Sequence, residues 1–471
     1  MRLYKTALVL GLASSGEAAA RLLLAEGAQV FVMDRGDSET LRSSATALQA
    51  LGAEVRLGVA TLPPGDFEIG IVSPGIPLAS DTVKAVMARG IPVVSELELG
   101  WSRCACRVLA ISGSNGKSTL VKLCAEALAQ AGRTAAIAGN YGPPVSAVVG
   151  QRPNLDWLVL EVSSFQLEAV REFRPDVGIL LNVTPNHLDR HGDFQNYRRI
   201  KSRLFARMTP ADTGVVEQRI LPEVRALAGS SNRWVTAGVN PAAGMKAIGN
   251  RQSKIENIAA GVSPAADFFY QSGAIHNSLM QERIELSGTM FDNEIMGLTA
   301  AAAAAALAAC GVEGRGRRLG RCLAAAARAF QPLPHRLQDV GTVRGIRFVD
   351  DSKATNLAAL MAALCMTPRP IRLIAGGLPK HESYEPARKL LSEKVVSVHL
   401  IGQAAETMAE AWRGAVPCVM SGTLARAVAE AGRQAVRGDT VLLSPGCASF
   451  DQFRNFEERG ECFVSAIRAL S

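Results

Sequence analysis

Short apolar runs alternate along the chain with longer stretches in which apolar residues recur at helical spacing. Ala7 to Leu10 reads as a strand, "GLASSG" as a turn, Glu17 to Glu26 as a helix, and Ala28 to Met33 as a second strand ending on Asp34. Glu68 to Val72 is a further strand, followed by the loop "SPGIP" at 73–77. Val108 to Ile111 runs into the glycine turn of "AISGSNGKST" (110–119); behind it Leu120, Cys124, Ala127, Leu128 and Ala131 keep helical spacing until Gly132. "WLVLEVSSFQLE" (157–168) puts Glu161 at the end of an apolar strand. "VGILLNVTPNHLDRHGDFQNYRRIK" (177–201) is a strand entering a loop with His187, then a polar helix carrying Lys201. Residues 211–285 give only mixed strands and loops, and Ala300 to Ala306 a tightly packed helix. In the last third, strands at Arg347 to Val349, Arg372 to Ala375, Val396 to Ile401 and Thr440 to Leu443 each open on a polar loop.

This alternation predicts an α/β protein of parallel sheets, with polar groups gathered at the carboxyl edge where ligands of such sheets bind. The length of 471 residues suggests roughly three domains at about 150 residues each. A break near Ser102 to Arg107 and the proline-bearing "FQPLPHR" (330–336) give expected domains at 1–104, 105–334 and 335–471. The expected folds are Rossmann-like, P-loop ATPase-type, and Rossmann-like doubly wound, in that order.

Composition narrows the partners. With 48% hydrophobic and 20% charged residues the chain is ordinary for a globular protein. Its net charge, 51 minus 43 or +8, suits acidic partners, but the basic residues are scattered and lack interleaved aromatics. Small anionic substrates are therefore favoured over nucleic acid. Nine cysteines without paired metal-type spacing read as free thiols in a reducing cytosol. The N-terminus imitates a secretory signal, but its apolar stretch is short and continues as a fold. The alanine run is too short to cross a bilayer, so a cytoplasmic protein without membrane insertion is expected.

The candidate chemistry starts at residues 113–119. Backbone N–H groups of Gly113, Ser114, Asn115 and Gly116 and the following helix N-terminus can face phosphate, Lys117 adds a charge, and Ser118 or Thr119 can ligand magnesium. The common loop has a glycine five residues before Gly116, where this chain has Ile111, so a surface turn also fits this stretch alone. Gly11, Ala13, Ser14 and Asp34 resemble a dinucleotide fingerprint with alanine for the middle glycine, and fit either a nucleotide site or a structural turn. Ser73 and Gly75 belong to the same sheet edge. Singly, Glu161, His187 and Lys201 also fit a strand-end charge, a loop histidine and a solvated helix face. Their order around the loop is what a magnesium nucleotide site on a parallel sheet requires.

"SGSNGKST", "LEVSSFQLE", "LNVTPNHLDRH", "LPHR", "DDSKATN" and "LLSPGCASFDQFRNFEERG", in this order, resemble the Mur ligases of peptidoglycan synthesis over essentially the whole chain. The shortened Gly-x-x-Gly-Lys-Ser loop is the form that family uses. "DDSKATN" and the residues around Cys447 resemble the D-glutamate-adding members, whereas relatives adding other amino acids carry an Asp-Tyr-Ala-His-like loop. The resemblance implies an ATP-dependent acid–amino-acid ligase, expected to be a monomer, acting on UDP-N-acetylmuramoyl-L-alanine, D-glutamate and ATP with magnesium.

It also implies residue roles. Lys117, Ser118 and Thr119 would hold phosphates and magnesium; Glu161 and His187 would ligand a second magnesium; Lys201 matches a lysine carbamylated in the family. Asn140 falls where the muramoyl substrate is contacted, with His187 beside it in that role, and Arg336 and Asp351 would reach the nucleotide. Lys353 and Thr355 lie beside the reacting carboxyl, and Lys380, Ser449, Phe450 and Phe456 match the amino-acid pocket. One segment departs from the family: "GTMFDNEIMGLTAAAA" (288–303) lacks the expected histidine, and only Asn293 resembles the asparagine near adenine. "GGLPKHES" also differs from the more usual "GGxDKG". The alternatives are a Mur-type ligase using L-glutamate or another first residue, a nicotinamide-dependent oxidoreductase, and a silent nucleotide-binding scaffold. Bound nicotinamide without ATPase activity marks the second. Intact Lys117, Glu161, His187, Lys201 and Lys353 argue against the third.

Overall fold

The aliphatic runs form strands whose alternate residues are buried on opposite faces, as sheets covered by helices on both sides require. The computed structural model describes residues 3–151, 154–240, 266–278, 282–312, 318–380 and 382–470. They fold around three sheets, an α/β architecture of three domains. Compact packing divides the described residues into two units. Of the described residues, the first draws on those within 3–183, 195–240 and 266–329, the second on those within 184–194 and 330–470.

In the first unit, β1 (Thr6–Leu10), β2 (Gln29–Met33), β3 (Glu54–Arg56), β4 (Ile69–Val72) and β5 (Val93–Ser95) make a parallel sheet of order β3-β2-β1-β4-β5. Ala7 and Val9 face one core with Leu23 and Val32, while Leu8 and Leu10 face another with Phe31, Val83 and Val86. The strand order reverses at β1, so the turn after Leu10 lies at the switch point.

The same unit holds β6 (Arg107–Ser112), β7 (Ala135–Gly139), β8 (Trp157–Glu161), β9 (Val177–Leu180), β10 (Thr213–Glu217), β11 (Arg233–Val239), β12 (Phe268–Gln271), β13 (Ala274–Asn277) and β14 (Glu282–Glu285). Their order is β14-β13-β12-β11-β10-β9-β6-β8-β7, parallel from β7 to β12, then antiparallel. The segment read only as mixed strands and loops thus extends the central sheet, with a helix at Leu221–Ala228; its residues 241–265 and 279–281 lie outside the described residues. Short strands such as "ERIE" carry no apolar run by which to recognise them.

Helix Glu294–Ala309 is buried on every side over Ala300 to Ala306, against β10, β11, β12 and helix Lys117–Gln130. Small side chains permit that approach. Gly297 is the tightest point, since a Cβ there would lie 2.2 Å from the Tyr270 ring. Gly297→Ala is expected to destabilise the unit by about 1–3 kcal/mol through overpacking; an unchanged thermal midpoint would show that the ring can move aside.

The N-terminal and central sheets are tied through helix Glu96–Trp101. Glu96 Oε1 accepts the Ser146 N–H at 2.7 Å, and Glu98 accepts from the backbone of Arg171 and, at 3.0 Å, of Glu172. Burial raises the Glu96 pKa to about 7.

In the second unit, β15 (Gln338–Val343), β16 (Ile346–Asp350), β17 (Ile371–Gly376), β18 (Val395–Ile401), β19 (Cys418–Gly422) and β20 (Thr440–Leu443) take the order β15-β16-β20-β17-β18-β19. Only β15 is antiparallel. Leu373 and Leu442 face one core with Trp412, and Ile374 and Leu443 the other with Phe463. Among the described residues no helix is long and apolar enough to cross a membrane.

Candidate active site

At the end of β6 the chain turns through Gly113 to Gly116 into helix Lys117–Gln130. Gly116 caps that helix at φ 82°, a left-handed conformation that favours glycine, and a Cβ there would also press on the Leu181 side chain at 2.8 Å. The loop is held by Asn182, which the sequence reading passed over. Its Oδ1 accepts the N–H groups of Ser114 and Asn115, each at 3.0 Å, and its Nδ2 donates to Asn115 O at 3.0 Å. Ser114 Oγ lies 3.2 Å from the Tyr197 hydroxyl. Lys117 Nζ folds back on the loop, donating to Gly113 O at 3.0 Å and Ser114 O at 3.1 Å. Ser118 and Thr119 are buried in the first helical turn.

Lys201 enters the same place from helix Phe194–Ser202 and is 1% exposed. Its Nζ donates to Gly113 O at 2.9 Å and Ser112 Oγ at 3.3 Å, and lies 4.9 Å from the Tyr197 ring centroid. A solvated helix face is therefore excluded. Burial drives its pKa well below the usual lysine value; Lys117 pushes the same way and Glu161 opposes. Glu161, at the end of β8, is also buried. Its Oε1 accepts from Asn140 Nδ2 at 2.6 Å, whereas Oε2 is buried without a hydrogen-bond partner among the described residues. Gly139 lets this pair form: its φ is +99°, and a Cβ would stand 2.4 Å from Glu161 O.

Among the described residues no three His, Cys, Asp or Glu side chains gather as a metal-binding group. The donors present are the bare Glu161 oxygen and the Ser118 and Thr119 hydroxyls. Oxygen donors of this kind suit a hard divalent cation.

The N-terminal sheet gathers Gly11, Ala13, Ser14, Asp34, Ser73 and Gly75 at its carboxyl edge. Asp34 braces the turn: Oδ2 accepts Leu12 N–H and Oδ1 accepts Gly36 N–H, both at 2.7 Å. Ser73 Oγ donates to Gly11 O at 3.1 Å. Gly16 is obligatory, because a Cβ there would lie 1.8 Å from Gly11 O. Helix Ser14–Ala25 starts at Ala13 with no side-chain cap, leaving its first N–H groups for a ligand.

In the second unit, Asp351 is buried, with Oδ2 accepting from Ser444 Oγ at 2.8 Å and Oδ1 from Leu337 N–H at 3.2 Å. Burial raises its pKa to about 7, against the pull of Ser444 and Arg336. Arg336 Nε is itself buried without a partner among the described residues. Lys353 Nζ lies 5.0 Å from the Phe456 ring centroid, and Thr355 N–H donates to Lys353 O at 2.9 Å. Burial lowers the Lys380 pKa, while Glu382 raises it. Ser449 is buried, but Phe450 is 68% exposed and stands apart from the others.

The loops "DDSKATN" and "SPGCAS" are pinned together by Arg459, a second residue the sequence reading passed over. Wholly buried, it donates to Ser352 Oγ at 3.0 Å, Ser352 O at 2.8 Å, Cys447 O at 3.1 Å and Ala448 O at 3.3 Å. Arg459→Ala strands those carbonyls, each costing about 1–3 kcal/mol when unsatisfied. The second unit should lose several kcal/mol in denaturant unfolding, and Arg459→Lys should recover only part of it, lacking the planar fork. Equal stability of all three forms would overturn this.

His187 lies in Thr184–Phe194, grouped with the second unit, at φ 54° before the short helix Leu188–His191. Asn293 caps helix Glu294–Ala309, accepting from Met296 N–H and donating to Met290 O, both at 3.0 Å.

Comparison with known proteins agrees with this layout. Family models match in register with the three sheets: "Mur ligase MurD-like, N-terminal domain" at residues 5–95, "Mur ligase middle domain" at 111–280, and "Mur ligase, glutamate ligase domain" at 335–447. A UDP-N-acetylmuramoylalanine–D-glutamate ligase of Acidobacterium capsulatum is 37% identical over 99% of this chain and 96% of its own length. One from Myxococcus xanthus is 37% identical, covering 98% of both. The fold is shared with a pseudomurein peptide ligase type C from Methanothermus fervidus, at 17% identity and TM-score 0.60 over 99% of this chain and 100% of that one. MurF from Acinetobacter baumannii shares it at 16% identity and TM-score 0.60, over 97% and 93% of the two chains. Matched by family models on each of its three domains, and by near-full-length relatives at well over 30% identity, the chain belongs to the Mur ligase family.

Proposed function

We propose that this protein joins D-glutamate to UDP-N-acetylmuramoyl-L-alanine with ATP, giving the amide, ADP and phosphate, as a step of peptidoglycan precursor synthesis. The observation that carries this reading is the buried Lys201 amine, 2.9 Å from Gly113 O in a phosphate loop of the family's shortened form. The names of the near-full-length relatives supply the amino acid and the acceptor. We take the working divisions to be 1–104 for the UDP substrate, 105–334 for ATP and 335–471 for the amino acid. We take it to be a cytoplasmic monomer that engages no nucleic acid and no membrane.

A carboxylate does not accept an amine at neutral pH because its oxygen leaves poorly, so phosphorylation must come first. Gly113 to Gly116 and the helix N-terminus bind the phosphates, and Lys117 exchanges its loop carbonyls for the transferred phosphoryl group. Burial drives the Lys201 pKa down, and as the free amine it can add carbon dioxide, lose a proton and become an anionic oxygen donor. Glu161, Ser118 and carbamylated Lys201 would hold magnesium, which when bound offsets phosphate charge; the ligand role of His187 rests on its motif alone. Asn140 orients the Glu161 carboxylate and is assigned to the muramoyl substrate. Gly11, Ala13, Ser14, Asp34, Ser73 and Gly75 line the edge assigned to the UDP part, and Asn293, Arg336 and Asp351 are assigned to the nucleotide. Lys353 stabilises the tetrahedral adduct formed when the glutamate amine attacks, beside Thr355. Lys380, Ser449, Phe450 and Phe456 are assigned to the incoming glutamate. The deciding experiment is phosphate release from ATP and UDP-N-acetylmuramoyl-L-alanine with each enantiomer of glutamate. Turnover with the D form alone is expected, and equal or greater turnover with the L form would move the reading to a related ligase.

Ser449→Ala should raise the KM for glutamate roughly ten- to a hundredfold, since a hydrogen bond to a charged group contributes about 1.5–3 kcal/mol. The KM values for ATP and the UDP substrate should change little. If steady-state kinetics show ATP affinity falling as far, Ser449 serves the nucleotide instead.

A further inference from the structure

The link between the N-terminal and central sheets carries two thiols that amide formation does not use. Helix Glu96–Trp101 ends shortly before Cys104, and β6 begins at Arg107, directly after Cys106. The two Sγ atoms stand 3.3 Å apart, with Cys104 Sγ also 3.5 Å from Cys106 O. Both side chains are half-buried, packed at the edge of the central core beside Trp101. A disulfide needs an S–S separation of about 2.05 Å, so closure demands a contraction of only roughly 1.3 Å. The bond would span one residue, Ala105. So small a ring holds its backbone under strain, and strained disulfides are the labile, easily reduced ones rather than structural staples.

The two sulfurs are not equivalent. Hydrogen bonding from Cys106 lowers the Cys104 thiol to about 7 against the effect of burial, while the same contact raises Cys106. Asp176, which accepts the Val108 N–H at 2.8 Å, opposes ionisation of both. Either sulfur can donate in the 3.3 Å contact, which stabilises one thiolate at a time, and the exchange takes Cys104 as the attacking group and Cys106 as the resolving one.

We propose that Cys104 and Cys106 form a reversible disulfide by exchange with a low-molecular-weight disulfide. Cys104 thiolate attacks one sulfur of that disulfide, forming a mixed disulfide and expelling one thiolate. Cys106 gives its proton to water and attacks Cys104 Sγ, expelling the second. Two protein thiols are oxidised, and the small disulfide is reduced to two thiols.

The test uses the full chain incubated with oxidised glutathione, quenched in acid, alkylated in denaturant and mapped by mass spectrometry on the chymotryptic peptide that follows Trp101. That peptide should be recovered unalkylated and two hydrogens lighter, and should revert to a doubly alkylated form after dithiothreitol. Cys106→Ser should instead retain a glutathione adduct on Cys104, and the thermal midpoint measured alongside shows whether the variant is folded. Full alkylation of the wild-type peptide, separate glutathione adducts on Cys104 and Cys106, or a link from either to another cysteine or another chain would each overturn the proposal.

Discussion

Lys117→Ala is expected to lower turnover by a factor on the order of a hundred or more, the scale of losing one preorganised electrostatic contact to a transition state. The reason is geometric. Lys117 is the first residue of its helix, and its ammonium already lies over the loop carbonyls that surround the phosphate position. Lys117 is only half-buried, so circular dichroism and the thermal midpoint should stay near those of the parent. ATP-dependent phosphate release in the presence of both other substrates measures the loss. Near-normal turnover would remove the phosphate-loop assignment, and with it the order of events proposed for acyl-group activation.

Lys201→Ala should be nearly inactive and should recover in part when acetate or another short carboxylate is supplied. An unmodified ammonium is a poor occupant of this place: it is fully buried, and the nearby Lys117 charge disfavours it further. A carbamate reverses the sign, turning a repelled cation into an anion beside a phosphate loop that recruits a metal. The alanine variant leaves room for a small carboxylate to supply the same oxygens. Rescue is therefore read as activity against carboxylate concentration, with chloride at equal ionic strength as the control. Full activity without any carboxylate would show that the amine serves packing alone. The burial that makes Lys201 reactive also makes it indistinct in sequence, where "YRRIK" looks like an ordinary polar helix.

That contrast runs through the molecule. Features set by neighbours in sequence were legible: the strand-to-loop-to-helix unit at 107–130, the costly carboxylate at the end of β8, and the aliphatic strands of the last sheet. Features set by residues far apart in the chain were not. Asn182 holds the phosphate loop from 67 residues away, and Arg459 reaches Ser352 across 107. Neither is marked by composition or period. Asp34 matches the acid of a dinucleotide fingerprint in position, and its bracing of the glycine turn through Leu12 and Gly36 is a further part that spacing does not show. Phe450 directly follows the buried Ser449, and its exposure at the turn through 449–453 is a difference that adjacency in sequence does not show. The segment beyond residue 211 reads only as mixed strands and loops because short strands such as "ERIE" carry no apolar run that would fix their bounds.

The position of β20 has a consequence for biosynthesis. It lies between β16 and β17, hydrogen-bonded to both, although it is the last strand made. Until Leu443 of the 471 residues has been added, β16 and β17 have no bridge, and their apolar inner edges face water. The two earlier sheets have every described strand in hand by Glu285. On a ribosome adding about 5–20 residues per second, they can close while the last sheet waits for Thr440 to Leu443. A stop codon ahead of Thr440 would therefore not trim this sheet but leave it as two unjoined halves, with open strand edges available to any neighbouring nascent chain.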